Sequence, residues 1–317
     1  MRRKRPPVPA ATPPVASNPV TDPDPTATTD TTAPAAPTAF GLGPLPGTDL
    51  VQAADVVLSE SPLPHIPQLP DRGVGSDAVG RTAALLEIPV DRGPRGWRVA
   101  PRRRNARDQM ARDLDILEEL WAGKAERVKV QLTGPWTLAA EIEMPNGHRM
   151  VTDPGALRDI TDALGEAAER HRGDVEKRIA PTVLQLDEPR LADVAAGTLA
   201  GATRYEEIAA VPEPWERLAP FGEFLLHAPL LVDAPWQTAD LTTLTAPADR
   251  DRVARLLDSG ARLAVSPVEP AWLWRYFDEL QLDPAAVRLD AWARPGATLL
   301  EAAANYREAR EMADGLA

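Results

Sequence analysis

Short apolar runs alternate with long amphipathic stretches along this chain, and each run ends in a burst of Gly, Pro and polar residues. The runs are FGLGPLPGTD from Phe40, VKVQLTGPWT from Val128, PTVLQLDEP from Pro181, EFLLHAP from Glu223 and RLAVSPVEP from Arg262. Apolar runs of about 4–8 residues backed by turn residues read as strands. The expected strands are Ala39–Gly43, Trp97–Ala100, Val128–Leu132, Thr182–Leu186, Glu223–His227, Asp240–Leu244, Arg262–Ser266 and Val287–Ala291. Between them the pattern turns helical. Met110, Leu114, Leu117 and Trp121 share one face of Ala106–Trp121. Asp153 and Pro154 supply an N-cap and a first-turn proline for a helix reaching about Arg178. Further helices are expected over Pro247–Ser259, Ala271–Gln281 and Thr298–Leu316. Strand alternating with helix predicts a parallel sheet, and eight strands are what a closed barrel needs. The expected fold is therefore α/β, a (β/α)8 (TIM) barrel over residues 38–317.

The first 37 residues break this pattern. They hold ten prolines, with Ala, Thr and Asp making up most of the rest, and almost no large apolar side chain. Such a segment buries too little surface to offset its ordering entropy, so residues 1–37 are expected to form a disordered tail. Arg2, Arg3, Lys4 and Arg5 resemble the basic start of a signal peptide, but the apolar stretch that should follow is broken by prolines. Apolar runs also stay far short of the roughly 18 residues a membrane crossing needs. The expectation is a cytoplasmic protein with no membrane partner. A net charge of −12 lacks the basic footprint of a nucleic-acid binder. The absence of cysteine removes disulfides, thiolate metal sites and thiol nucleophiles together. Nothing in the sequence speaks to oligomeric state.

Candidate chemistry sits at the strand ends, where a parallel barrel builds its site. Asp187 and Glu188 follow VLQL directly. Two carboxylates there can hold an ammonium group or act as acid and base. They can equally satisfy a helix N-terminus, and both readings stand. Trp136, in the turn Gly134–Thr137, can wall a flat ligand, although packing is the commoner use of a buried Trp. His227 ends EFLLHAP, but one imidazole does not make a zinc site. The long Leu63–Arg81 loop is of a kind that covers substrate over a barrel mouth. His65, His148 and His171 carry no evident role.

Taken in order, these segments resemble cobalamin-independent methionine synthase, in its short single-barrel actinobacterial form. GLGPLPGTD resembles the family's first-strand motif, and LPHIPQLPDRGVGSDAVGRT the loop after it. QLTGPWTLAAEIE, VLQLDEPRLADVAAG, LLHAP and the terminal PGATLLEAAANYREAREMADGL follow in family order. The resemblance implies a (β/α)8 barrel and methyl transfer from methyltetrahydrofolate to a zinc-bound homocysteine. It also implies that Asp187 and Glu188 hold the substrate amine, with Gly43 and Trp136 also lining the substrate site. The family's zinc-bearing His falls on His227. Its two cysteines fall on Pro229 and near Trp292, and the serine of its first motif on Pro44. Neither Pro nor Trp ligates zinc, so His227 is a vestigial ligand and no cofactor is expected. Oxygen ligands for a replacement site would have to come from Asp233, Asp240 or Asp290. Three functions follow: a divergent methyltransferase of this family, a pseudoenzyme barrel holding a small amino acid, folate-type ligand or partner protein, and a zinc-free lyase or transferase working through the paired carboxylates.

Overall fold

The computed structural model describes residues 36–100, 105–284 and 286–316. The expected tail lies outside the described residues, except for Ala36 and Pro37. In chain order the elements are β1 (Ala39–Gly41), α1 (Leu50–Glu60), α2 (Ala78–Leu85), β2 (Val90–Gly93), β3 (Gly96–Val99), α3 (Asn105–Trp121), β4 (Val128–Thr133), α4 (Pro135–Glu141), β5 (Ile142–Glu143), α5 (Pro154–Arg178), β6 (Thr182–Asp187), α6 (Leu191–Ala196), β7 (Leu225–His227), β8 (Trp236–Ala239), α7 (Pro247–Asp258), β9 (Arg262–Val265), α8 (Pro270–Leu280), β10 (Arg288–Ala293) and α9 (Leu299–Leu316).

Seven strands form one curled, all-parallel sheet in the order β1-β10-β9-β8-β7-β6-β4. Alternation along each strand divides the side chains between two faces. Val128, Val130 and Leu132 of β4 and Leu184 and Leu186 of β6 enter the main core shared with the helices. Their neighbours Lys129, Gln131, Thr133, Val183, Gln185 and Asp187 take the other, inner face. There Phe40, Leu42, Leu63, Val183, Leu225, Trp236 and Ala264 form a separate apolar cluster.

The sheet's two edges are β1 and β4. The segment Leu63–Gln68 makes backbone hydrogen bonds with both. The Leu63 amide donates to the Ala39 carbonyl at 3.1 Å, Ile66 to the Lys129 carbonyl at 3.0 Å, and Lys129 to the Pro64 carbonyl at 2.7 Å. Pro64 and Pro67 bring no N–H, which limits this segment to isolated bridges.

Two expected strands stand elsewhere. Trp97–Ala100 does overlap a strand, β3, but it pairs antiparallel with β2 and parallel with β5 in a separate small sheet. Asp240–Leu244 is a turn, and the strand is the preceding Trp236–Ala239. That strand contains Gln237 and Thr238 and so lacks the apolar run that marks the others. The long helices stand close to where periodicity puts them. Asp153 caps α5 by accepting from the Ala156 amide at 2.7 Å, with Pro154 in the first turn.

At the amino end of the strands, Arg262 and Asp290 form a doubly hydrogen-bonded ion pair, 3% and 0% exposed. Asp290 also accepts from Trp236 Nε1 and the Thr38 amide, each at 2.9 Å. Arg262 reaches on to the Ala36 carbonyl at 2.6 Å. A buried ion pair is tolerable only when its remaining polar atoms are satisfied in this way. The cluster thus floors the inner face and ties the start of the described chain to β9 and β10.

Candidate binding site at the strand carboxyl ends

The carboxyl ends of β4, β6 and β7 place polar side chains side by side on the inner face. Cross-strand register pairs Gln131 with Gln185, Thr133 with Asp187, and Asp187 with His227. Asp187 is partly exposed, and its Oδ1 accepts from Gln185 Nε2 at 2.6 Å. Gln185 is fixed from two further sides: its Nε2 donates to the Leu42 carbonyl at 2.8 Å, and its Oε1 accepts from the Lys129 ammonium. Lys129 is fully buried beneath this layer, its Nζ 5.2 Å from the centre of the Phe40 ring. A chain of contacts therefore runs Lys129–Gln185–Asp187. Burial pushes the Asp187 carboxyl up and the Lys129 ammonium down from their ordinary values, while their mutual attraction opposes both shifts.

Glu188 takes the opposite side of its strand and serves a different end. It accepts from the Trp136 and Thr137 amides at 2.9 and 2.7 Å and from the Thr137 hydroxyl at 2.6 Å. These are the free donors at the start of α4, whose own N-cap, Gly134, has no side chain to offer. A carboxylate two strands away in sequence thus caps the helix. Burial moves Glu188 up to about 7 against the pull of those donors. Gly134 cannot be larger, since a Cβ there would lie 2.3 Å from Glu188 Oε1. Glu188 thus caps a helix, whereas Asp187 stands partly exposed at the strand end, bonded to Gln185.

His227 is partly buried, with Nδ1 2.9 Å from the Thr238 hydroxyl and its ring 6.5 Å from that of Trp292. Burial first, and the Lys129 charge second, lower its pKa to about 4, so it is neutral at pH 7. Pro229 is exposed, and the Trp292 indole points its N–H toward the Ala239 carbonyl at 3.4 Å. The proposed oxygen ligands are engaged elsewhere: Asp233 with Arg252, Asp240 with Thr242 and Ser266, Asp290 with Arg262. Among the described residues, no three His, Asp or Glu side chains converge on one point. The donor set around His227 does not fit zinc.

Trp136 is buried in the packing around α4. Its indole N–H donates to the Pro214 carbonyl at 2.8 Å and Arg217 covers the ring. Gly43 lies beside Gln68 and Gln131, at φ +128°, where a Cβ would come within 3.2 Å of Gln68 and 3.3 Å of Gln131. Pro44 bridges to Gln68. His65 is fully buried and bonds Tyr306 Oη through Nε2 at 2.7 Å. Gly41 makes room for that contact, as a Cβ would lie 2.3 Å from the same hydroxyl.

Three residues of the site escaped sequence reasoning: Lys129, Gln131 and Gln185. Their signal was the strict alternation in VKVQLT, which puts Lys129, Gln131 and Thr133 on one face, and the two-residue spacing of Gln185 and Asp187 in TVLQLD. A groove of about 840 Å³ lies elsewhere, between α8 and α9, and touches none of these residues. Compared with known proteins, the chain matches no family model and no curated protein sequence.

Proposed function

We propose that the curled sheet is a closed (β/α)8 barrel, with Leu63–Gln68 as its eighth stave, and that its mouth binds a small amino acid through Asp187. The hydrogen bonds of that segment to both sheet edges support closure. The resemblance to cobalamin-independent methionine synthase supports the choice of ligand, because the acid it assigns to the substrate amine falls on Asp187. The observation that carries the reading is the division of labour between adjacent acids. Glu188 is consumed by three donors of α4. Asp187, held by Gln185, keeps its second oxygen for a cation at the partly exposed strand end.

Methyl transfer to a zinc-bound thiolate has no support in this donor set, since Pro229 and Trp292 stand where the thiolates belong. The protein is thus a divergent barrel that keeps amino-acid recognition. A ligand ammonium meeting Asp187 also relieves the cost of its burial and favours the ionised carboxylate.

A melting screen against homocysteine, methionine and related amino acids tests this. Saturating ligand is expected to raise Tm for the wild-type chain and to do so much less for Asp187→Asn. An equal rise in both proteins would remove Asp187 from the site.

A further inference from the structure

We infer that the preferred ligand carries a primary carboxamide or ureido group, which pairs with the Gln131 side chain while its ammonium meets Asp187. This deepens the proposed amino-acid site and rests on it. Both Nε2 and Oε1 of Gln131 are buried without a hydrogen-bond partner in the protein, and the residue is 6% exposed. Exchanging the two atoms changes nothing, because each is unpartnered either way. Buried side-chain polar groups nearly always have a partner, so an amide orphaned at both ends at a binding mouth points to a ligand.

The two orphaned atoms define what that ligand brings. A carboxylate, which only accepts, would satisfy Nε2 and leave Oε1 bare. An apolar side chain would satisfy neither. A carboxamide donates and accepts in one plane and answers both. The Thr133 hydroxyl, buried on the same strand face and also unpartnered, offers a further contact one step nearer the strand end.

Placement agrees with this chemistry. Gln131 pairs in register with Gln185, and Asp187 follows two residues later on the same strand. Adjacent strands lie about 4.8 Å apart and two residues rise about 6.6 Å, a span that a glutamine-sized molecule covers. Glycine at position 43 keeps the approach open, since a Cβ there would press to 3.3 Å from Gln131 Nε2.

The test is calorimetric titration of the full chain with L-glutamine, L-glutamate and L-methionine, using wild type, Gln131→Leu and Asp187→Asn. Glutamine is expected to bind about tenfold or more tightly than either competitor, the effect of two hydrogen bonds. Gln131→Leu is expected to abolish that preference, and Asp187→Asn to weaken all ligands alike. A preference that is absent in wild type, or survives in Gln131→Leu, overturns the inference; if Asp187→Asn still weakens methionine, the amino-acid site itself stands. Failure of every amino acid to bind at millimolar concentration overturns both. Without ligand, Gln131→Leu is expected to melt higher than wild type, because an unpaired buried amide is removed. A lower Tm would mean that Gln131 pairs with neighbouring Gln68 in solution, and that also overturns the inference.

Discussion

Buried histidines separate the roles of single residues most clearly. His65 is fully buried against Tyr306, and burial, helped by the Lys129 charge, lowers its pKa to about 3. An unfolded chain takes up a proton there below about pH 6.5, whereas the folded chain does not. Its contribution is therefore complete above pH 6.5 and is lost as pH falls toward 3. His65→Gln lacks this titration, so its stability deficit against wild type should narrow by about 2 kcal/mol between pH 7 and pH 5 in urea unfolding. A constant deficit would mean that His65 is protonated in the folded protein. His227 gives a second expectation. With no cysteine in the chain and no cluster of His, Asp or Glu around it among the described residues, purified protein should hold no stoichiometric zinc. Near-equimolar zinc by elemental analysis, lost in His227→Ala, would contradict this. The residues legible in the sequence were those at strand ends, Asp187 and His227, because turn chemistry marks those ends. Lys129, Gln131 and Gln185 were not read, because alternation alone does not tell a solvent face from the inner face of a curled sheet.

At the scale of elements, Glu188 and the proline-broken segment carry the expectations. Glu188→Ala leaves three buried donors of α4 without an acceptor and should cost on the order of 3 kcal/mol or more. If Glu188 instead bound a ligand, the variant would lose affinity with little change in melting. Closure by Leu63–Gln68 predicts that the Ile66 and Lys129 amides exchange hydrogen as slowly as the interior of β4. Fast exchange at both would leave β4 as an open edge. Sequence patterning located helices well, since α3, α5, α7, α8 and α9 carry long periodic stretches and α5 also carries both of its start signals. It failed on strands where the signal is weakest. Pro64 and Pro67 disguise a sheet partner as loop, and the four residues of β8 read as nothing because two are polar. Conversely, Trp97 and Val99 have good strand chemistry but belong to the small sheet. Local composition indicates extended backbone; which sheet receives it depends on the rest of the chain.

For the whole molecule, the inner face is mixed: it carries the Arg262–Asp290 ion pair, an apolar cluster with Phe40, Leu225 and Ala264, and amide and carboxylate side chains toward the carboxyl ends of β4 and β6. The outward faces are mostly apolar, so the sheet is held by its helices and leaves the inner face for chemistry. Asp187, partly exposed, rather than the buried and ion-paired Asp290, is the residue at which a ligand is expected. The most direct measurement is calorimetric affinity for methionine, homocysteine and glutamine in wild type and Asp187→Asn, with the melting temperature of both proteins recorded alongside. A charge-assisted hydrogen bond contributes about 1.5–3 kcal/mol, so Asp187→Asn should weaken binding roughly 10- to 150-fold at nearly unchanged Tm. Unchanged affinity, or no binding of any of the three at millimolar concentration, would contradict it.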